Sequence, residues 1–404
     1  MADSVIQAPS VSGKPFGPNM DAFLAKVLPS AKSGYVLAVN EYHGLSEYVD
    51  NLAKNWSNLS ALGEHNVGTL GLERPLYMNV VFWAMQEKKL PVSPEREADY
   101  LRQIMQTDLE PKQGAVENAV RQAVLVTQVI RQGDEVIAFD SRTDNLTGSH
   151  LAIDAVRKDM IARKIDRNLL RNSPEALQAW ANEAGLRIGL RSDDGNTPAT
   201  NAKTVWGYIE IQNLLEKNPA YEERLNTMKA MSKQMAKKGI THDAQNATIF
   251  ATNAAPSRNS ITISGLAHNA GIKDESLSIH GTFAAHLQSR GLRLTSVIMT
   301  TSNELKEWIA HTSPGQPIYN YFIKNCAARA PMQLAVLDQD VVLDVSSRKN
   351  FEGFRGVIEM LLAEQSAKEV VSKLAKTGAM FTCDQSELPT TAQKATKERP
   401  RGVN

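Results

Sequence analysis

The chain is expected to adopt an α/β fold in which a central, largely parallel sheet is flanked by helices and carries helical insertions. Three observations predict it. Short apolar runs of strand length at residues 35–39, 59–63, 135–140, 186–190, 260–267 and 294–299 are separated by longer stretches whose apolar residues recur at helical intervals. The run at 260–267, a helical pattern over 279–289 and the run at 294–299 form a strand–helix–strand unit, which implies a right-handed crossover and parallel pairing. With 404 residues, of which 42% are hydrophobic and 22% charged, the chain has ordinary globular composition and enough length to bury a substantial core.

Each element has its own signal. Between the first two expected strands, Leu45, Tyr48, Val49 and Leu52 are spaced for one helix face over residues 44–56. The run from Leu76 to Met85 reads as a strongly buried helix, with Pro75 in its first turn, where a missing N–H costs nothing. Helices are expected at 94–106 and 114–131, the second placing Val116, Val120, Val124 and Ile130 near one face. Gly133 and Asp134 then break the helix before the strand at 135–140. Helical patterns resume at 150–170 and 173–184, the latter behind a Ser173 cap, and run at length over 204–238. Residues 241–259 read as polar and irregular, 333–337 and 341–345 as strands, and 363–376 as a last helix. The organisation expected is a flexible leader over 1–30, one domain over 31–380 with a helical insertion at about 91–132, and a disordered tail over 381–404.

The formal net charge of +1 gives no composition-level basis for binding nucleic acid or an anionic membrane. Cys326 and Cys383 are the only cysteines, so no disulfide framework is implied; Cys326 reads as a small packing residue. No apolar run reaches the length of a membrane span, and the first residues lack the basic and apolar regions of a secretory signal.

The candidate chemistry lies where strands are expected to stop. Leu62-Gly-Glu-His-Asn-Val-Gly-Thr69 places Glu64 and His65 after one apolar run, Asp140 closes another, and Gly265-Leu-Ala-His-Asn-Ala-Gly271 places His268 after a third. Open α/β sheets collect ligands in the crevice outside the carboxyl ends of their strands, so these groups would converge if the strands are parallel neighbours. A Glu beside a His sets the tautomer and basicity of the imidazole, and a carboxylate–imidazole set activates water or holds a divalent cation. Arg74, Arg142 and Arg224 are candidates for binding substrate and offsetting developing negative charge. Each residue also has a plain structural reading: Glu64, His65 and Asp140 as helix caps, His268 as a loop histidine, Arg142 as a partner of Asp144. No nucleophile elbow, His-Glu-x-x-His, phosphate loop or dinucleotide fingerprint is present.

These motifs resemble those of erythromycin-esterase-like proteins. Leu62 to Thr69 is similar to that family's Gly-Glu-x-x-His-Gly-Thr signature, and Ala267-His-Asn-Ala-Gly271 to its Ala-His-Asn-Ala-His. Arg224 and Met228 resemble its Arg-Asp-x-x-Met-Ala helix, and Gly281-Thr-Phe-Ala-Ala-His-Leu287 its Gly-x-x-Leu stretch. The resemblance covers roughly residues 30–360. Val67 and Gly271 stand where the family has histidines, which leaves Glu64 and His268 as the direct matches and Asp140 as a further one. The wider group includes ChaN-like haem-uptake proteins, Tiki proteases and toxin or effector domains of pathogens.

What the resemblance implies is hydrolysis at the strand ends by His-activated water, or metal-assisted hydrolysis as in the Tiki branch. The expected function is an esterase-like hydrolase of a small-molecule ester, with no cofactor specified and a divalent metal as one option. The alternative is a secreted bacterial effector or toxin-like virulence protein of the same fold that binds a host protein with weak or no catalysis. A small, polar leader of the kind effectors carry motivates the second reading. The expected location is cytoplasmic in the producing cell, or secreted in the effector case.

Overall fold

A computed structural model describes residues 34–41, 47–60, 65–105, 113–141, 159–187, 198–255, 257–265, 283–300, 332–336 and 341–344. In chain order the strands are β1 (Tyr35–Glu41), β2 (Val67–Pro75), β3 (Glu135–Asp140), β4 (Asn259–Gly265), β5 (Arg293–Thr300), β6 (Met332–Val336) and β7 (Val341–Asp344). The helices are α1 (Glu47–Leu59), α2 (Met78–Gln86), α3 (Glu97–Met105), α4 (Gln113–Arg131), α5 (Arg167–Asn172), α6 (Pro174–Arg187), α7 (Pro198–Lys217), α8 (Pro219–Lys237), α9 (His242–Asn253) and α10 (Phe283–Ser289). The fold is α/β, with largely parallel strands flanked by helices. Among the described residues, no helix is long and apolar enough to cross a membrane.

The chain divides into two compact units, Met1–Tyr35 with Tyr42–Ile263, and Val36–Glu41 with Ser264–Asn404. In the first, the strands run β3-β2-β4. β2 lies parallel to both neighbours, with Leu70 opposite Val136 on one side and Ile261 on the other. Strands buried on both faces read as near-continuous apolar runs, and β3 does so, whereas β4 alternates Ile261 and Ile263 with Ser260, Thr262 and Ser264 although all of its residues are buried. Gly71 of β2 sits beneath Phe250 of α9, where an added Cβ would lie 2.6 Å from the ring. Phe250 in turn packs edge-on against Phe139 of β3. In the second unit the order is β1-β5-β6-β7, with β5 and β6 parallel and β6 and β7 antiparallel.

Asn259 organises the amino ends of the first unit's strands. It is fully buried; its Nδ2 donates to the His65 carbonyl at 2.9 Å, its Oδ1 accepts from Tyr35 N, and its own N–H donates to Asn66 O. Asn66 is in the left-handed region at φ 51°, a conformation asparagine tolerates. Nearby, Trp56 of α1 donates from Nε1 to Asp134 at 2.9 Å, pinning the helix to the residue that precedes β3.

Several expected boundaries are corrected. Of the strand expected over 59–63, Leu59 ends α1, whose apolar face continues through Leu52, Trp56 and Leu59, and Ser60 makes only an isolated bridge to Val67, where β2 begins; residues 61–63 lie outside the described residues. Pro75 ends β2 instead of opening a helix, and α2 starts at Met78. The long helical region expected over 204–238 consists of two helices, because Pro219 lacks the N–H that would continue α7 and instead opens α8. The helix expected over 150–170 is interrupted at Arg163 and Lys164, the latter at φ 53°. Leu186 and Arg187, assigned to a strand, belong to α6. Residues 241–259 are not irregular but contain α9, whose polar residues Asp243, Gln245 and Asn246 are buried beside Ala244, Ala247, Ile249 and Phe250. The leader over 1–30, the helix over 363–376, the tail over 381–404 and both cysteines lie outside the described residues.

One buried ionic cluster joins the helical layer. Glu210 of α7 is fully buried; it accepts from the Tyr100 hydroxyl at 2.9 Å and from Arg171 Nη2 at 3.1 Å. Arg171 Nε lies 2.6 Å from its other oxygen, an ion-pair contact without hydrogen-bond alignment. Burial holds the Glu210 carboxyl above its ordinary 4.5 despite Tyr100 and Arg171, which pull the other way. The folded chain therefore binds this proton more tightly than the unfolded chain does. That stabilisation is complete below pH 4.5 and is lost as pH rises through the folded-state value. Relative to Glu210→Gln, the native chain should lose stability in urea unfolding between acid and neutral pH. A difference that grows in the native chain's favour with rising pH would show that the Arg171 pair outweighs the burial cost.

Candidate functional site

The carboxyl end of β3 carries a carboxylate–imidazole pair. Asp140 is the last residue of this strand and is buried. His242, the first residue of α9, brings Nε2 to 2.8 Å from Asp140 Oδ1. The two side chains are 29% and 8% exposed for His242 and Asp140, so the imidazole reaches solvent while the carboxylate behind it does not. An ionised carboxylate only accepts, so Nε2 carries the hydrogen and Nδ1 is the basic nitrogen of the neutral ring. Asp243 Oδ1 stands 3.9 Å from Nδ1, beyond direct hydrogen bonding.

The next turn of α9 fixes this geometry. Asn246, one turn after His242, accepts the Ser141 backbone N–H on its Oδ1 at 2.8 Å, and so holds the chain as it leaves β3. Ser141 itself is buried, and among the described residues its Oγ makes no hydrogen bond, to His242 or to any other group. The Thr241 side chain does not cap α9. Beside Asp140 in register is Pro75, the end of β2, which places Arg74 at this same end of the sheet. Arg74 is buried, and its Nε and Nη2 donate to Gln122 Oε1 of α4 at 3.0 and 2.9 Å. Among the described residues it has no carboxylate partner.

The other sequence candidates are placed differently. His65 precedes β2, at the opposite end of the strand from Asp140. A nine-residue strand rising about 3.3 Å per residue separates the two ends by roughly 26 Å. His65 is 4% exposed and, among the described residues, neither ring nitrogen has a hydrogen-bond partner. It does not share a hollow with Asp140, because the helix before it extends to Leu59 and the strand begins only after it, at Val67. Arg224 of α8 stacks over Trp83 with its guanidinium carbon 3.9 Å from the ring centroid. It reaches Glu87 at 3.7 Å and lines a hollow with Glu135, Val136 and Ile137, the amino half of β3. Lys89 and Tyr221 beside Glu87 hold that carboxyl below its ordinary value. Arg224 is thus engaged away from Asp140. Glu64, Arg142 and His268 lie outside the described residues.

The sequence placed Asp140 at the end of its strand and singled out Arg74 without locating it on a strand; the structure sets both at the same end of the sheet, together with His242, Asn246 and Ser141, which the sequence reading did not single out. The signal for them was present in Thr241-His-Asp243, a helix start followed by buried residues at Ala244, Ala247 and Phe250. Among the described residues no group of three or more His, Cys, Asp and Glu is arranged to hold a metal. No family model matches the chain, and no curated protein and no solved structure matches it.

Proposed function

We propose that the chain is an esterase-like hydrolase in which the Asp140–His242 pair activates water at the carboxyl end of the sheet. The observation that carries the reading is the 2.8 Å contact from His242 Nε2 to a carboxylate shielded from solvent. Asp140 orients the ring and stabilises the imidazolium that forms; Nδ1 takes the proton of the attacking water; and the imidazolium returns it to the leaving alkoxide. The position of the pair, just outside the carboxyl end of a parallel strand, is where α/β sheets collect ligands. The motif resemblance to erythromycin-esterase-like proteins supports the same reaction class, with Glu64 and His268 as that family's matched residues in this sequence. Arg74 supplies the positive charge at this end.

Hydrolysis of a panel of small carboxylic esters by the whole chain and by His242→Gln tests the reading. Turnover of at least one ester should fall by about 10²-fold or more in the variant, the range expected when a general base is removed. Equal rates for both proteins across the panel would overturn it.

A further inference from the structure

We infer that Arg74 forms a binding site for an oxyanion, so that the ligand accepted at this end of the sheet carries a carboxylate or phosphate group. For its catalytic meaning the inference rests on the hydrolase reading, since the anion would belong to the substrate. The site itself rests on a separate observation.

Arg74 is 6% exposed, yet its partner among the described residues is the neutral amide of Gln122. A guanidinium stays charged at every accessible pH, and a buried charge is tolerated when a counter-charge and hydrogen bonds replace the lost water. Gln122 cannot neutralise it. Gln122 does fix it: Nε–H and one Nη2–H converge on a single amide oxygen, which uses the side edge of the planar group. The end edge, made by Nη1 and the outer Nη2–H, is left with parallel donors in the fork geometry that matches two oxygens of a carboxylate or phosphate. Gln122 is itself buried on α4, so the fork is held before any ligand arrives. The ordering cost of binding is correspondingly small. A structural role alone would be met at lower cost by an acid at position 122, which would pair with Arg74 and close the fork's demand for an anion. The sequence instead places an amide there, orienting the cation and leaving its charge to be met from outside.

The position adds the chemical setting. Arg74 directly precedes Pro75, which is in register with Asp140, the carboxylate that holds His242. An anion seated on the Arg74 fork would anchor an ester near the water-activating pair. It would also exclude substrates lacking an acid group, whose binding leaves the guanidinium desolvated and unpaired.

The test uses the whole chain, with inorganic phosphate and sodium acetate as probes at constant ionic strength set by chloride. Thermal unfolding midpoints should rise saturably with one or both probes, as they do when a ligand binds the folded state alone. The stronger probe identifies the oxyanion class. Arg74→Met should weaken that binding by about tenfold or more, the loss expected for a bidentate charge-assisted contact. Gln122→Glu provides the same test without removing the cation: the unliganded midpoint should rise and the probe-induced shift should shrink, because the counter-charge is now internal. His242→Gln should bind the probes as the native chain does. Loss of ester hydrolysis in that variant with no Arg74-dependent binding would sink the anion site and leave the hydrolase reading intact, and the reverse pattern would do the opposite. A native chain without a saturable shift, or a Gln122→Glu variant with an undiminished one, overturns the inference even if Arg74→Met does not fold.

Discussion

Replacing Asn79 by leucine should lower the unfolding free energy by about 3 kcal/mol or more, since each buried backbone group left without a partner costs roughly 1–3 kcal/mol. Asn79 lies in α2 and is 1% exposed. Its Oδ1 accepts from Ala138 N at 2.9 Å, and its Nδ2 donates to Ala138 O at 2.8 Å and to Leu76 O at 2.9 Å. Ala138 belongs to β3, the end strand of the β3-β2-β4 order, whose outward-facing N–H and C=O have no neighbouring strand to bond among the described residues. The carboxamide therefore stands in for a missing peptide, with a donor and an acceptor at peptide spacing. Leucine keeps a branched side chain of the same number of heavy atoms and is the bulkier of the two, so it leaves no cavity and the loss does not come from an emptied site. Asn79→Asp sharpens the test: a carboxylate still accepts from Ala138 N but faces two carbonyl oxygens where the amide donated. Urea unfolding should rank the native chain above both variants. A loss below about 1 kcal/mol for leucine would mean that the edge of β3 finds other partners.

How far the site was legible in the sequence depends on which contacts make each element. β3 was legible to the residue, because an apolar run between Gly133-Asp134 and Asp140 has local signals at both ends. β2 was not. Its sequence, Val-Gly-Thr-Leu-Gly-Leu-Glu-Arg-Pro, is diluted by two glycines that serve close packing, Gly71 beneath Phe250 and Gly68 against Arg258. The preceding Leu59 looks like strand in isolation but completes the buried stripe of α1. That error moved His65 from one end of the sheet to the other. The helix α9 was missed for a related reason. Periodicity looks for apolar residues on the inner face, whereas here His242 and Asn246 turn inward to bond the end of β3. A functional strand end recruits polar residues to a buried helix face, and it thereby erases the pattern by which the helix would be recognised.

On the hydrolase reading, Asp140→Asn should reduce kcat/KM for an accepted ester by about 10²–10⁴-fold while leaving the fold in place. The carboxylate does two things that an amide of the same size does not. It accepts the Nε2 hydrogen without an alternative donor, so it fixes Nδ1 as the basic nitrogen, and its charge stabilises the imidazolium formed when water is deprotonated. An asparagine can instead donate its N–H to Nε2 and draw the hydrogen onto Nδ1, which removes the base. The Ser141–Asn246 hydrogen bond and the Phe139–Phe250 contact do not involve the altered group, so α9 should keep its seat on β3. Asp243→Asn is the matched control. Its carboxylate also neighbours the ring, but at 3.9 Å from Nδ1 it makes no directed bond, and its loss should cost less than about tenfold. The readout that separates positioning from general damage is kcat/KM set against stability. In Asp140→Asn the rate should fall with the urea midpoint little changed. Equal losses in the two asparagine variants would show that proximity of negative charge, and not the bond from Asp140 to Nε2, is what the site uses.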